Sequence, residues 1–282
     1  MKIALVPIFF LCWMNLLAQD SAKITYISNE VFLLETQGKK VLIDGLFAHM
    51  DENWYDSPSE ENVALMEASA PPFDLIDLIA VSHKHRDHFN DQIVLHHMLN
   101  NQEAMLICPE QTADLLAEHA DFEQIKARVI ALTPGDCMDS SLVVSGIPVR
   151  VMRLEHSYYM EEDSLTGTQV NRHRDIVNLG YLFDIEGFKA FHCGDTNPLN
   201  EKEYSTFALQ DEAIDIAFLE RMFVTGGGKG MDIINKYIQP EHIVFMHINP
   251  ANRDLFIKHF KELENITIFE APMESIYYET SK

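Results

Sequence analysis

Residues 75–81 (LIDLIAV) form a nearly continuous apolar run, the pattern of a strand buried on both faces. The run hands over directly to Ser82-His83-Lys84-His85-Arg86-Asp87-His88. Three imidazoles and a carboxylate within six residues, set where a buried strand meets a loop, constrain this chain more than any other segment. Neutral imidazole binds a transition metal without a net charge cost. In an extended segment His83 and His85 project to the same side. Asp87 continues in that direction until the chain turns, and His88 points elsewhere. Such a strand end can serve two neighbouring ions, His83 and His85 on one, Asp87 and His88 on the other. The competing reading, a solvated histidine patch, fits one or two histidines better than this spacing. A single loop cannot complete two sites, so more ligands are expected at other strand ends: His156, Asp195 and His247 each follow a strand-like run.

The remaining chain alternates strand-like and helix-like stretches. Residues 23–27, 31–35 and 39–43 read as strands, and 50–72 as a polar loop with one short helix. Residues 91–100 and 109–119 read as helices flanking a strand at 105–108. Strand-rich segments follow at 129–132 and 141–153, then an irregular polar stretch at 155–177. A hairpin is expected at 179–192, buried strands at 214–219 and 242–248, helices at 231–238 and 254–263, and terminal strands at 266–270 and 275–279. This mixture predicts an α/β fold of sheets with helices outside, and no linker divides it.

With 47% hydrophobic residues the chain is not disordered. Lys plus Arg is 21 and Asp plus Glu is 44, a formal charge of −23, which argues against a protein that coats nucleic acid. A small anionic substrate stays open, because a metal ion reverses the local field. Residues 1–18 (MKIALVPIFFLCWMNLLA) combine Lys2 with an apolar stretch too short for a bilayer span, so they read as a signal peptide cut before Gln19. Residues 19–282 then form the functional domain, exported to the periplasm or beyond, with no stable membrane span after removal of the leader. Cys108, Cys137 and Cys193 remain, an odd and sparse set that reads as small buried hydrophobes.

HKHRDH matches HxHxDH, and it is followed in order by His156, the Gly194-Asp195-Thr196 turn and His247, with Asp44 ahead of the set. On these residues the chain resembles the metallo-β-lactamase superfamily. It is most similar to the branch of metal-dependent hydrolases near the ascorbate-phosphate lactonases and N-acylphosphatidylethanolamine phospholipase D. The resemblance implies an αββα four-layer sandwich of two mixed sheets with outer helices. It implies His83, His85 and His156 on a first metal, Asp87, His88 and His247 on a second, and Asp195 bridging. Asp44 is implied to brace the HxHxDH loop.

Two divalent ions held by His and Asp suit Zn²⁺, with Mn²⁺ or Fe²⁺ as alternatives. The expected activity is hydrolysis of a small ester, lactone or phosphodiester, with a water ionised between the metals and Asp87 or Asp195 orienting it and relaying its proton. The alternatives are a β-lactamase and a metal-binding protein without turnover. Several other residues read as ordinary structure: His173 as a solvated loop residue, His96 and His97 as core or surface, His192 and Cys193 as packing. The Gly226-Gly227-Gly228 stretch near Glu220-Arg221 reads as a flexible turn, since Lys229 is followed by Gly230 and no P-loop is formed. Arg172 and Arg174 are candidates to hold a substrate anion, and Trp54, Tyr158, Tyr159 and Asp232 are minor pocket candidates.

Overall fold

The computed structural model describes residues 21–50, 54–225 and 227–279, so the leader reading of residues 1–18 lies outside the described residues. Two seven-stranded sheets make up the frame. The first holds β1 (Ser21–Ser28), β2 (Val31–Thr36), β3 (Lys39–Ile43), β4 (Leu78–Ala80), β5 (Met105–Cys108) and β6 (Val129–Ala131). The second begins with β7 (Asp139–Val144) and β8 (Ile147–Leu154). After a separate small hairpin, β9 (Met160–Glu162) with β10 (Gln169–Asn171), it continues through β11 (Asn178–Ile185), β12 (Phe188–His192), β13 (Ile216–Glu220), β14 (His242–Met246) and β15 (Ile266–Thr267). The last strand, β16 (Ser275–Glu279), returns to the first sheet beside β1. Spatial order is β16-β1-β2-β3-β4-β5-β6 in one sheet and β15-β14-β13-β12-β11-β8-β7 in the other.

Period-two alternation assigns each residue to a layer. Phe32 and Leu34 of β2, and Leu78 and Ala80 of β4, face the second sheet, where they join Val151, Tyr181, Phe183, Ala190 and Phe218 in one core. Their sequence neighbours Leu33, Ile79 and Val81 face outward into a second core. That core is covered by α1 (Glu60–Glu67), α2 (Asp91–Asn100), α3 (Glu110–Leu116) and α4 (Phe122–Ile125), through Met66, Val94, Met98, Leu116 and Ile125. The second sheet is covered by α5 (Glu201–Phe207), α6 (Met222–Thr225), α7 (Lys229–Ile233) and α8 (Arg253–Phe260), through Tyr204, Phe207, Phe223, Ile233 and Phe260. The layers are therefore helix, sheet, sheet, helix, as the resemblance implied. Phe32 is the centre of the inter-sheet contact, its ring 4.4 Å from that of Phe218.

Some expectations shift. The apolar run at 75–81 is strand only over Leu78–Ala80, because Leu75 adopts a φ of 55° and is 76% exposed in the turn that leads in. The 155–177 stretch is not wholly irregular, since it contains the β9–β10 hairpin. The helix expected at 231–238 starts at Lys229 and continues as a π turn over Ile234–Ile238. Cys108, Cys137 and Cys193 are free thiols. Among the described residues no helix is long and apolar enough to cross a membrane.

Candidate metal centre

The two sheets are joined at one end of the sandwich by hydrogen bonds to the backbone. Leu179 N–H at the start of β11 donates to Ser82 O at 2.9 Å, and Tyr181 Oη donates to Val81 O at 2.6 Å. His247 N–H donates to Asn29 O at 3.3 Å, and within the second sheet's own loops Ser157 N–H donates to Asp195 O at 2.7 Å. Gly194 allows the closest approach. Its φ is 55°, and an added Cβ would stand 2.8 Å from Ser82 Cβ. At this seam the strands of both sheets release their loops together, at the carboxyl ends of β4, β8, β12 and β14, which is where open α/β sheets place their ligands.

Each candidate ligand leaves a different strand. β4 delivers His83, His85, Asp87 and His88; the chain then turns, with His88 N–H and Phe89 N–H both donating to His85 O at 3.0 Å. Asn90 caps α2, its side chain accepting from Ile93 N–H at 3.0 Å, which ends the loop. β8 delivers His156, β12 Asp195 and β14 His247. His247 and Asp44 both hold left-handed backbone, with φ of 58° and 52°, a conformation that non-glycine residues adopt mainly where surrounding structure imposes it.

The side chains converge into two groups of donor atoms. His83, His85, His156 and Asp195 make one, with atoms within 4.8 Å of one another. His83 Nε2 lies 3.0 Å from His85 Nδ1 and 3.9 Å from Asp195 Oδ2, and His156 Nε2 is 3.8 Å from the same oxygen. The other group contains His88, His247, Asp195 and Glu30. His88 Nε2 is 3.5 Å from Asp195 Oδ1, and Asp87 Oδ2 lies 3.8 Å from His88 Nε2 and 3.7 Å from His247 Nε2. Asp195 thus belongs to both groups, one oxygen toward each.

What lies behind the rings sets their tautomers. Asp44 accepts from Ser82 N–H at 2.6 Å and from Ser82 Oγ at 2.7 Å. The Ser82 hydroxyl, with its proton so committed, accepts from His83 Nδ1 at 2.9 Å. His88 Nδ1 faces Asp44 Oδ2 at 3.0 Å, His156 Nδ1 the Ser157 carbonyl at 2.9 Å, and His247 Nδ1 Glu220 Oε1 at 3.3 Å. With acceptors at four Nδ1 atoms, four Nε2 atoms face the interior, the edge that metal-ligating imidazoles present. The buried atoms His88 Nε2, His156 Nε2, His247 Nε2 and Asp195 Oδ1 have no hydrogen-bond partner. Buried polar atoms are rarely left so, and divalent cations would satisfy all of them at once. The charge agrees: Glu30, Asp44, Asp195 and Glu220 are buried, Asp87 nearly so, and a buried acidic cluster needs cations.

The protonation preferences divide the two groups. Burial, then the neighbouring histidines, brings His85 down to about 4 and holds His83 well below the usual range. For His88 and His247 burial acts in the same direction but is outweighed. Asp195, Asp87 and Asp44 bring His88 up to about 9, and Asp195, Asp87 and Glu220 bring His247 to about 10.

Several residues differ from their sequence reading. His173, expected in solvent, stands against the centre, its ring 4.7 Å from that of His85 and 4.4 Å from that of His156. Glu220, read only as part of a turn, holds His247. Two residues escaped the sequence reading. Glu30, fully buried in the β1–β2 turn, lies 3.8 Å from His88 Nδ1 and 3.6 Å from His247 Nδ1, behind the edges that face Asp87. Tyr55 stacks on His247 at 4.5 Å. Polar residues in turns are commonplace, and only an acidic residue between two strand-like runs hinted at Glu30. Arg172 and Arg174 pair with Glu161 and Asp175 at the surface. His96 pairs with Glu67, and His97 Nδ1 faces Met66 O. His192 accepts from Gly194 N–H and donates to Glu30 O, so both its nitrogens are used in packing.

Comparison with known proteins agrees with this geometry. Residues 40–248 match the family described as the beta-lactamase superfamily domain. A protein of Polynucleobacter asymbioticus named UPF0173 metal-dependent hydrolase is 22% identical over 237 residues, covering 82% of this chain and 76% of its own. A protein of the same name from Bacillus cereus is 26% identical over 231 residues, covering 80% and 86%. The structure of Igni18, described as a novel metallo hydrolase from Ignicoccus hospitalis, is similar in fold with a TM-score of 0.60 at 20% identity, over 93% of this chain and all of that one. The chain belongs to the beta-lactamase superfamily, in the metallo-β-lactamase fold.

Proposed function

We propose that this protein is a dinuclear metal-dependent hydrolase of small esters, lactones or phosphodiesters. The observation that carries this reading is the sharing of Asp195 between two groups of buried, unpartnered histidine nitrogens. Relatives along most of the chain bear the name metal-dependent hydrolase, which supports it.

His83, His85 and His156 would hold one ion, Asp87, His88 and His247 the other, and Asp195 both. Zn²⁺ suits this nitrogen-rich set, with Mn²⁺ or Fe²⁺ as alternatives. Such ions, when bound, lower the pKa of water toward neutrality and polarise a carbonyl or phosphoryl oxygen. The protein's own residues do the rest. Asp44, Ser82, Glu220 and the Ser157 carbonyl hold the imidazoles in one tautomer. Asp87, whose Oδ2 faces two histidine edges, would orient the water and accept its proton. The buried floor formed by His83, His88 and His156 excludes bulk solvent. No serine or cysteine nucleophile is required, and Cys193 is buried with its thiol pushed well up.

Metal analysis of purified protein, with hydrolysis assays on bis-p-nitrophenyl phosphate, a lactone series and nitrocefin, tests the reading. Two tightly held ions with chelator-sensitive turnover of an ester, lactone or phosphodiester are expected. Turnover of nitrocefin alone would make it a β-lactamase, and two ions without turnover a binding protein. An exported location, carried by residues 1–18, is part of the same proposal and is checked by the N-terminal sequence of the mature protein.

A further inference from the structure

A cavity of about 330 Å³ opens beside the first donor group, with His156 and His173 in its wall. Its charged lining comes mainly from β8, the residues just after it, and α5. The acids there are largely committed to the framework. Glu155 Oε2 accepts from Asn197 at 2.9 Å and Asn200 at 3.0 Å, and its Oε1 accepts from Tyr158 Oη at 2.8 Å. Glu203 accepts the Glu155 N–H with both oxygens, at 3.1 and 2.9 Å. Burial pushes its carboxyl up to about 7, so it carries less than a full charge near neutrality.

Two of the cations are not committed in this way. The Arg153 guanidinium makes no hydrogen bond among the described residues. Its one ion-pair partner among the described residues is Asp136, 3.9 Å away and with a side chain 95% exposed, and Glu203 acts on it from farther off. The Lys202 ammonium has neither a hydrogen bond nor an ion pair among the described residues. Arg174, the third cation of the lining, is turned to Asp175. The unused binding capacity of the cavity is therefore for an anion, in a protein whose net charge of −23 repels anions at long range. An arginine fork beside a lysine point charge suits a carboxylate or a phosphate.

We propose that this cavity receives the anionic arm of a small substrate whose scissile group lies at the donor groups, with Arg153 and Lys202 as the arm's two cationic contacts. The proposal rests on the hydrolase reading above, but its test is a binding ratio and needs no turnover. Calorimetric titration of the metal-loaded protein would compare succinate, glutarate and adipate with butyrate, valerate and hexanoate, which lack the second carboxylate. At least one dicarboxylate is expected to bind about tenfold tighter than its partner. K202Q should reduce that advantage about threefold, and R153Q about tenfold. Should R153Q fail to fold, K202Q decides, because Lys202 lies on the exposed side of α5. Equal affinity within every pair, or an advantage unchanged in both variants, overturns the proposal. Absence of turnover on every ester, lactone and phosphodiester overturns only the hydrolase reading, so the two failures are distinguishable.

Discussion

Asp44 Oδ2 lies 3.0 Å from His88 Nδ1, and the same carboxylate holds Ser82 through both its backbone N–H and its hydroxyl. One side chain at the end of β3 therefore sets the orientation of His88 directly and of His83 through Ser82. Asp44→Ala should weaken metal binding by about 10- to 100-fold, measured by competition with a chelator of known affinity. The loss should fall on both ions, since His83 and His88 belong to different donor groups.

Asp195 touches both groups, so its removal is expected to be more severe than that of a brace. Asp195→Ala should reduce the metal content from two ions toward one and lower turnover by more than about 100-fold. Metal analysis and steady-state rates on the same preparation check this. Near-normal stoichiometry and rate would remove the bridging role.

The two groups should load with different pH dependence. His85 falls to about 4 and His83 lies well below the usual range, so the first group is deprotonated at neutral pH. His88 at about 9 and His247 at about 10 each carry a proton there when no cation is present. A cation entering the second group must displace about two protons at pH 7, and one entering the first almost none. Affinity at the second group should rise with pH up to 9 or 10, and affinity at the first should be flat above about 5. Titration calorimetry in buffers of different ionisation enthalpy counts the protons. In the metal-free protein the raised values of His88 and His247 contribute stability below about 6.5 that is lost as pH climbs through 9 and 10. Its melting temperature should fall over that window.

Gly194 sits where the loop after β12 meets the loop after β4. Alanine there would bring a Cβ to 2.8 Å from Ser82 Cβ, at a φ of 55°. Gly194→Ala should destabilise by about 1–3 kcal/mol and displace Asp195, its immediate neighbour. Denaturant unfolding and metal affinity should both change.

Phe32 lies between the sheets against Phe218, with no exposed surface. Phe32→Ala should cost about 3–5 kcal/mol, read from denaturant unfolding, while the metal stoichiometry of the folded fraction stays unchanged.

Much of the frame was legible because it follows local rules. Phe32 and Leu34 alternate with Val31 and Leu33, and that period assigns them to opposite faces whatever the rest of the chain does. HxHxDH after a buried strand is likewise a local pattern. The later candidates His156, Asp195 and His247 were visible as polar residues at strand ends. What no local pattern carries is the partner of each side chain. Glu30 approaches His247 across more than two hundred residues of sequence, and Arg153 is left without a hydrogen-bonded counterion while Glu155 and Glu203 accept from other groups. His173 shows the same division. Its sequence setting, between two arginines in a polar loop, reads as solvent, whereas the β9–β10 hairpin brings its ring onto His85 and His156. The sequence by itself determined where most strands lie and the kind of chemistry at the end of β4, since apolar runs and ligand type are properties of neighbouring residues. The tertiary structure alone decided which nitrogens face inward, which carboxylates stand behind them and where an anion can bind, because those depend on distances between segments that only the joined sheets bring together.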